Sequence, residues 1–99
     1  MRLNWSPLAI KRLSEIAKYI AMDNPVTAER WVDKIFTMVE KLSEFPERGR
    51  VVPELNNKMI REIISGNYRV IYKLENTKIS VLTVRHVKQV LSIDEFAKF

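Results

Sequence analysis

The apolar positions along this chain change their period once. From Pro7 to Leu42 they recur every three or four residues, as on one face of a helix. From Ile60 onward they alternate or run together, as in strands. Ahead of the helical stretch, Arg2 to Trp5 reads as a short strand. Ser6-Pro7 then supplies a helix start, with Ser as N-cap and Pro at the first helical position. Ala9, Leu13, Ile16, Ala17 and Ile20 draw the apolar stripe of this first helix, while Lys11, Arg12, Glu15 and Lys18 lie mostly on its other side. Asp23-Asn24-Pro25 stops it and starts a second helix with the same device. The second stripe is Ala28, Trp31, Val32, Ile35, Val39 and Leu42, ended by Phe45-Pro46. So short a connection makes the two helices an antiparallel hairpin.

Residues 47 to 58 show no period, and Gly49, Pro53 and Asn56-Asn57 mark them as a loop. Ile60 to Ser65, Tyr68 to Leu74 and Lys78 to Arg85 read as three strands. Gly66-Asn67 joins the first two as a type II′ hairpin turn, and Asn76-Thr77 lies in the next turn. Ser92 to Phe99 reads as a short C-terminal helix capped by Ser92. The expected fold is α+β, in the order β-α-α-β-β-β. An antiparallel sheet carries the helical hairpin on one face and leaves the other open for function. The tight turn sets the register: Ser65 opposite Tyr68, Ile63 opposite Val70, Arg61 opposite Tyr72. Arg61, Tyr68, Val70 and Tyr72 then share one face, and Glu62, Arg69, Ile71 and Lys73 the other. Both sets mix apolar and charged members, so periodicity does not decide which meets the helices. The second turn is less regular and leaves the faces of Arg85 and His86 open.

Composition narrows the picture. Ninety-nine residues, 46% of them hydrophobic, are expected to form one domain, 1–99, with its own core. Without cysteine there is neither a disulfide framework nor a thiolate metal site, and one histidine is too few for a zinc site without carboxylate help. No metal and no cofactor are expected. The opening Met1-Arg2-Leu3-Asn4-Trp5 has no apolar run of signal-peptide length, and no stretch approaches the ~18 apolar residues that span a membrane. The expected setting is the cytoplasm, with no membrane partner. A net charge of +5 calls for an acidic partner, either nucleic acid or protein.

Several short motifs, in order, carry a family resemblance. They are Trp5-Ser6-Pro7, Ala9, Tyr19-Ile20, Asn24-Pro25 with Ala28, Pro46-Glu47-Arg48-Gly49-Arg50, Glu54, Arg61-Glu62, and Gly66-Asn67-Tyr68-Arg69-Val70-Ile71-Tyr72. A closing strand, Val81-Leu82-Thr83-Val84, leads into Arg85-His86-Val87-Lys88, which has the form His-x-Lys. Over roughly residues 2 to 90 the chain resembles the ParE/RelE toxins of type II toxin–antitoxin modules. The resemblance implies a growth-inhibiting toxin, of the kind that stabilises plasmids, held in check by a cognate antitoxin with an acidic C-terminal segment.

The family divides into two chemistries. RelE-like members cut messenger RNA on the ribosome; ParE-like members act on DNA gyrase. RNA cleavage through the 2′-hydroxyl needs a base, a cation for the phosphorane and a proton donor to the leaving oxygen. Arg69 matches the strand arginine of the nucleases. Their other strand cations fall near Ile60 and Glu62, and their C-terminal Arg and Tyr near Val87 and Ile93, with no tyrosine after Tyr72. These departures, with Gly49-Arg50 and His86-x-Lys88, favour the gyrase-directed reading over a nuclease built on Arg69, His86 and Lys88. Candidate contacts to target or antitoxin are Arg12, Arg48, Arg50, Arg61, Arg69, Arg85, His86 and Lys88. Arg69 is also placed to pair with Glu62, its diagonal neighbour on the same face, and Tyr68, Tyr72, Trp5 and Trp31 read as packing residues.

Overall fold

The computed structural model describes residues 1–96 of the chain. Two caps organise the helical half. Ser6 Oγ accepts the Ala9 amide at 3.0 Å and donates to the Leu82 carbonyl at 2.9 Å, so one hydroxyl both starts helix α1 (Pro7–Asp23) and ties it to the last strand. Asn24 Oδ1 accepts the Thr27 amide at 3.1 Å and starts α2 (Pro25–Glu40) with no residue to spare between the helices. A single turn of 3₁₀ helix, Lys41–Ser43, ends the hairpin.

The strands are β1 (Arg2–Trp5), β2 (Arg50–Val51), β3 (Ile60–Ser65), β4 (Tyr68–Leu74) and β5 (Lys78–His86), in the sheet order β1-β5-β4-β3-β2. The β3–β4 register is the one the turn dictates, Ser65 opposite Tyr68 through Arg61 opposite Tyr72. Gly66 has φ +57°, as the first central position of a type II′ turn requires. The α+β class holds, with two additions. The sheet is mixed, because β1 runs parallel to β5, and the loop contributes a two-residue edge strand, β2, opposite Arg61 and Glu62. A short helix, α3 (Ile93–Phe96), begins the predicted C-terminal helix; residues 97–99 of that expectation lie outside the described residues.

Val70 faces the helices, packed with Ala9, Leu13, Ile35, Val39, Val81 and Val84. Tyr72 lies on the same side with Leu42, Leu74 and Ile79. The opposite side is not left open, contrary to the sequence-based expectation. Val52, Ile60, Ile71, Leu82, Leu91 and Phe96 form a second buried cluster there, roofed by the loop and the C-terminal segment. A one-sided cover would leave a row of alternate strand side chains in water; two covers remove both rows.

A bulge in β5 explains why alternation could not place Arg85 and His86. Ile71 pairs with Thr83 but Tyr72 pairs with Val81, so Leu82 is an extra residue and the parity of the strand flips there. Val81 and Val84 consequently both face the helices. Beyond the bulge His86 stands opposite Tyr68 on the helix side, and Arg85 stands opposite Arg69 on the other.

Ile35 and Val39 are fully buried between hairpin and sheet. Ile35→Ala is expected to lower stability by about 2–5 kcal/mol, read from urea melts as a fall in midpoint at unchanged slope.

Candidate functional site

The loop, β3 and β4 converge on a buried ion network. Arg69 projects from β4 into the second core, and its side chain is 6% exposed. A guanidinium there must be met by opposite charge and filled hydrogen bonds. Its Nε donates to Glu62 Oε1 at 2.6 Å, and its Nη1 and Nη2 donate to the two oxygens of Glu54 at 2.7 and 2.8 Å. The Glu54 contact is a bidentate fork, the strongest form of such a pair. Glu62, fully buried, gives its second oxygen to Arg50 Nε at 2.6 Å, so one carboxylate joins two arginines. The hydrogen bonds from Arg69 hold the Glu54 carboxyl down at about 2, against the opposing effect of burial, and Glu54 with Glu62 pushes the Arg69 guanidinium up.

Beside this network the Pro46–Arg50 segment is clamped to Tyr72. The Tyr72 hydroxyl accepts the Gly49 amide at 2.9 Å and donates to the Pro46 carbonyl at 2.8 Å. A Cβ on Gly49 would sit 2.5 Å from that hydroxyl oxygen and 2.6 Å from the Glu62 carbonyl oxygen, so only glycine lets the loop approach this closely. Arg61 Nη1 donates to the Gly49 carbonyl at 3.0 Å and its Nε to the Lys58 carbonyl at 3.2 Å. Arg50, Arg61 and Arg69 thus all have places in the scaffold. Arg48 is exposed, on the lip of an apolar cleft of about 870 Å³ lined by Met1, Phe45, Pro46 and Leu74.

The remaining candidates gather elsewhere. Arg12 from α1 and Arg85, His86 and Lys88 from the end of β5 line a cleft of about 420 Å³, with Glu15 and Tyr68. The His86 ring meets Tyr68 edge-on at 5.5 Å, and Tyr68 in turn meets Trp31 at 5.2 Å. His86 Nδ1 accepts the Lys88 amide at 3.1 Å, which puts the proton of the neutral ring on Nε2. Arg69 and His86 lie on opposite faces of the sheet, so the set Arg69, His86 and Lys88 does not converge on one point. Glu54 is the functional-site residue that sequence reasoning left without a role. Its signal in the sequence was its place among the motif residues of the resemblance, which gives no partner for it. Among the described residues no His, Asp and Glu cluster could hold a metal ion, and no helix is long and apolar enough to cross a membrane.

The arrangement is thus a helical hairpin on a mixed sheet, with a loop pinned to the central strands through Arg69 and Tyr72. The chain superimposes on the chromosomal ParDE toxin–antitoxin system of P. aeruginosa with TM-score 0.72 at 21% identity, over 89% of this chain and 97% of that one. For the RelBE2 toxin–antitoxin complex of Mycobacterium tuberculosis the TM-score is 0.62 at 19% identity, over 86% and 95%. In sequence it is 36% identical to Y4kP of Sinorhizobium fredii, a candidate toxin by its name, over 89% of this chain and 90% of that protein. It is 29% identical to toxin RelE2 of Caulobacter vibrioides over 83% and 90%. The sequence pattern of the ParE toxin of type II toxin–antitoxin systems matches residues 3–91, and the chain belongs to this family, within the ParE/RelE superfamily.

The depressed Glu54 carboxyl fixes a pH dependence. A carboxyl whose folded-state value lies below its unfolded value near 4.5 adds stability above about pH 4.5, and that share is lost as pH falls toward about 2. Glu54→Gln is expected to cost about 1.5–3 kcal/mol at neutral pH. The gap between wild type and variant should close between pH 4.5 and 2 in denaturant melts. A gap that stays constant with pH would show that the fork adds nothing through charge.

Proposed function

We propose that this toxin acts in the cytoplasm as a binding poison of DNA gyrase and that it does not cut RNA. The observation that supports this most is the state of Arg69. The position that gives the nucleases a cation for the phosphorane is here buried and saturated by Glu54 and Glu62. Releasing it to a phosphate would unpair two carboxylates, one of them fully buried, at a cost of several kcal/mol. The absence of a tyrosine after Tyr72 removes the C-terminal proton donor of those enzymes as well. A surface contact with a large protein needs no such groups.

Induction in cells lacking the antitoxin tests the reading directly. Double-strand breaks and an SOS response are expected, with translation continuing at early times, and purified toxin should inhibit gyrase supercoiling. Codon-specific cleavage of ribosome-bound mRNA, abolished by Arg69→Ala in a variant shown to be folded, would replace this reading with the nuclease.

The structural neighbours are toxin–antitoxin systems, and a partner of the same kind follows for this chain. The basic surface asks for a small antitoxin whose acidic C-terminal half folds onto it. Arg50 is committed to Glu62, whereas Arg48 is exposed beside the apolar Phe45 cleft, which makes it the better rim contact. Rim charges act mainly on encounter rate. Arg48→Glu is expected to slow antitoxin association and flatten its salt dependence, with the dissociation rate nearly unchanged, in stopped-flow measurements at two ionic strengths.

A further inference from the structure

The tip of the helical hairpin is apolar where both helix ends favour charge. There α1 presents the negative end of its dipole and α2 the positive end. A cation in the last turn of α1 and a carboxylate in the first turn of α2 would each be stabilising. The chain has neither. It places Met22 and Val26 there instead, with Tyr19 three residues before Met22 on α1. All three lie off the stripes that meet the sheet: Met22 is 86% exposed, Tyr19 72% and Val26 55%. Tyr19 and Met22 wall a cleft of about 540 Å³, completed by Ile20 and Asp23. An exposed apolar residue standing alone needs no explanation, but a group of them at one end of a helix pair marks a contact surface.

The charges around the tip select its occupant. Lys18, Asp23, Glu29 and Arg30 are exposed, and none of their side chains forms an ion pair among the described residues. They balance, two cations against two carboxylates, on a chain whose net charge is +5. An acidic protein or a nucleic acid would meet as many repelling groups here as attracting ones. A two-fold contact uses the same surface on both sides, so a patch of balanced charge can be its own complement. It is also a place where two copies of a basic chain approach with little repulsion.

We infer that the hairpin tip is a self-association surface whose occupant is a second copy of this chain. In the two-fold contact Tyr19, Met22 and Val26 of the two copies pack together. Lys18 of each copy faces Glu29 of the other, and Asp23 faces Arg30, so each pair occurs twice. An unbranched Met and a Tyr ring suit such a surface, the one adaptable and the other amphipathic. The patch is small, which places the contact in the weak, transient class, with a dissociation constant on the order of 100 μM. The surface does not depend on which target the toxin acts on.

Sedimentation equilibrium of the full-length chain, from micromolar to millimolar concentration, tests the inference. Monomer and dimer are expected in a concentration-dependent balance that salt shifts toward monomer. Met22→Lys should raise the dissociation constant by about tenfold or more. Lys18→Glu, which sets like charges face to face twice, should raise it several-fold. Adding Glu29→Lys to Lys18→Glu exchanges the two charges, keeps the net charge at +5 and should restore association. All of these sites are exposed, and circular dichroism should show each variant folded. A chain that is monomeric at every concentration, a dimer indifferent to Met22→Lys, or a charge exchange that leaves the Lys18→Glu defect in place would each overturn the inference. A glutamate-rich peptide that moves the Tyr19 and Met22 nuclear magnetic resonance signals of a monomeric chain would overturn it too, and would give the tip to an acidic partner.

Discussion

A carboxylate that is fully buried and touches two arginines holds the two halves of this structure in register. Glu62 sits on β3 and grips Arg69 of β4 and Arg50 of β2. Arg69 passes the constraint on to Glu54 in the loop and, at 3.5 Å, to the Gln89 carbonyl after β5. One connected set of charges therefore fixes where the loop, the central hairpin and the C-terminal segment lie relative to each other. Buried ion pairs are a weak source of net stability, because removing the charges from water costs nearly what their attraction returns. Their effect here is on uniqueness. With Glu62 and Arg69 inside, any slip of the loop leaves a buried charge unpaired, and the alternatives are strongly disfavoured.

The Tyr72 clamp works on the same loop from the helix side. Its hydroxyl bonds Gly49 and Pro46, while its ring fills the core beside Leu42 and Ile79. The loop is thereby held from both faces of the sheet, by charge on one and by a hydroxyl on the other. Gly49 lies where the two constraints meet, against both Tyr72 and the Glu62 carbonyl. That convergence explains why a stretch without periodicity is ordered, and why Arg48 and Phe45 are presented at a fixed place on the surface.

These constraints divide the positive charge of the chain into two populations. Arg50, Arg61 and Arg69 are spent on architecture, each with carboxylate or carbonyl partners. Arg12, His86 and Lys88 line a cleft at the end of β5, and Arg48 stands exposed beside the Phe45 cleft. A count of basic residues cannot separate the two groups. The separation matters for function, since the cations that would serve a nuclease on the central strands belong to the first population and those available to an acidic partner belong to the second.

The sequence by itself determined whatever is local. Ser6-Pro7 and Asn24-Pro25 start helices through contacts within three residues, and Gly66-Asn67 fixes a hairpin register because a two-residue turn permits little else. It also set which strand residues share a face, and it offered Glu62 as a partner for Arg69. What only the tertiary structure decided depends on residues far apart in the chain. The parallel docking of β1 on β5, the bulge at Leu82, the cover on the second face and the Glu54 fork are of this kind. A bulge inverts strand parity without leaving a mark in a run of apolar residues such as Ile79 to Val84. The Glu54 contact spans fifteen positions and starts in a loop, where no period links a residue to its partner. The cleft between α1 and the end of β5 is invisible in the sequence for the same reason: Arg12 and His86 line it together because the first helix packs on the last strand, through Ala9 and Leu13 against Val81 and Val84 and through the Ser6 hydroxyl.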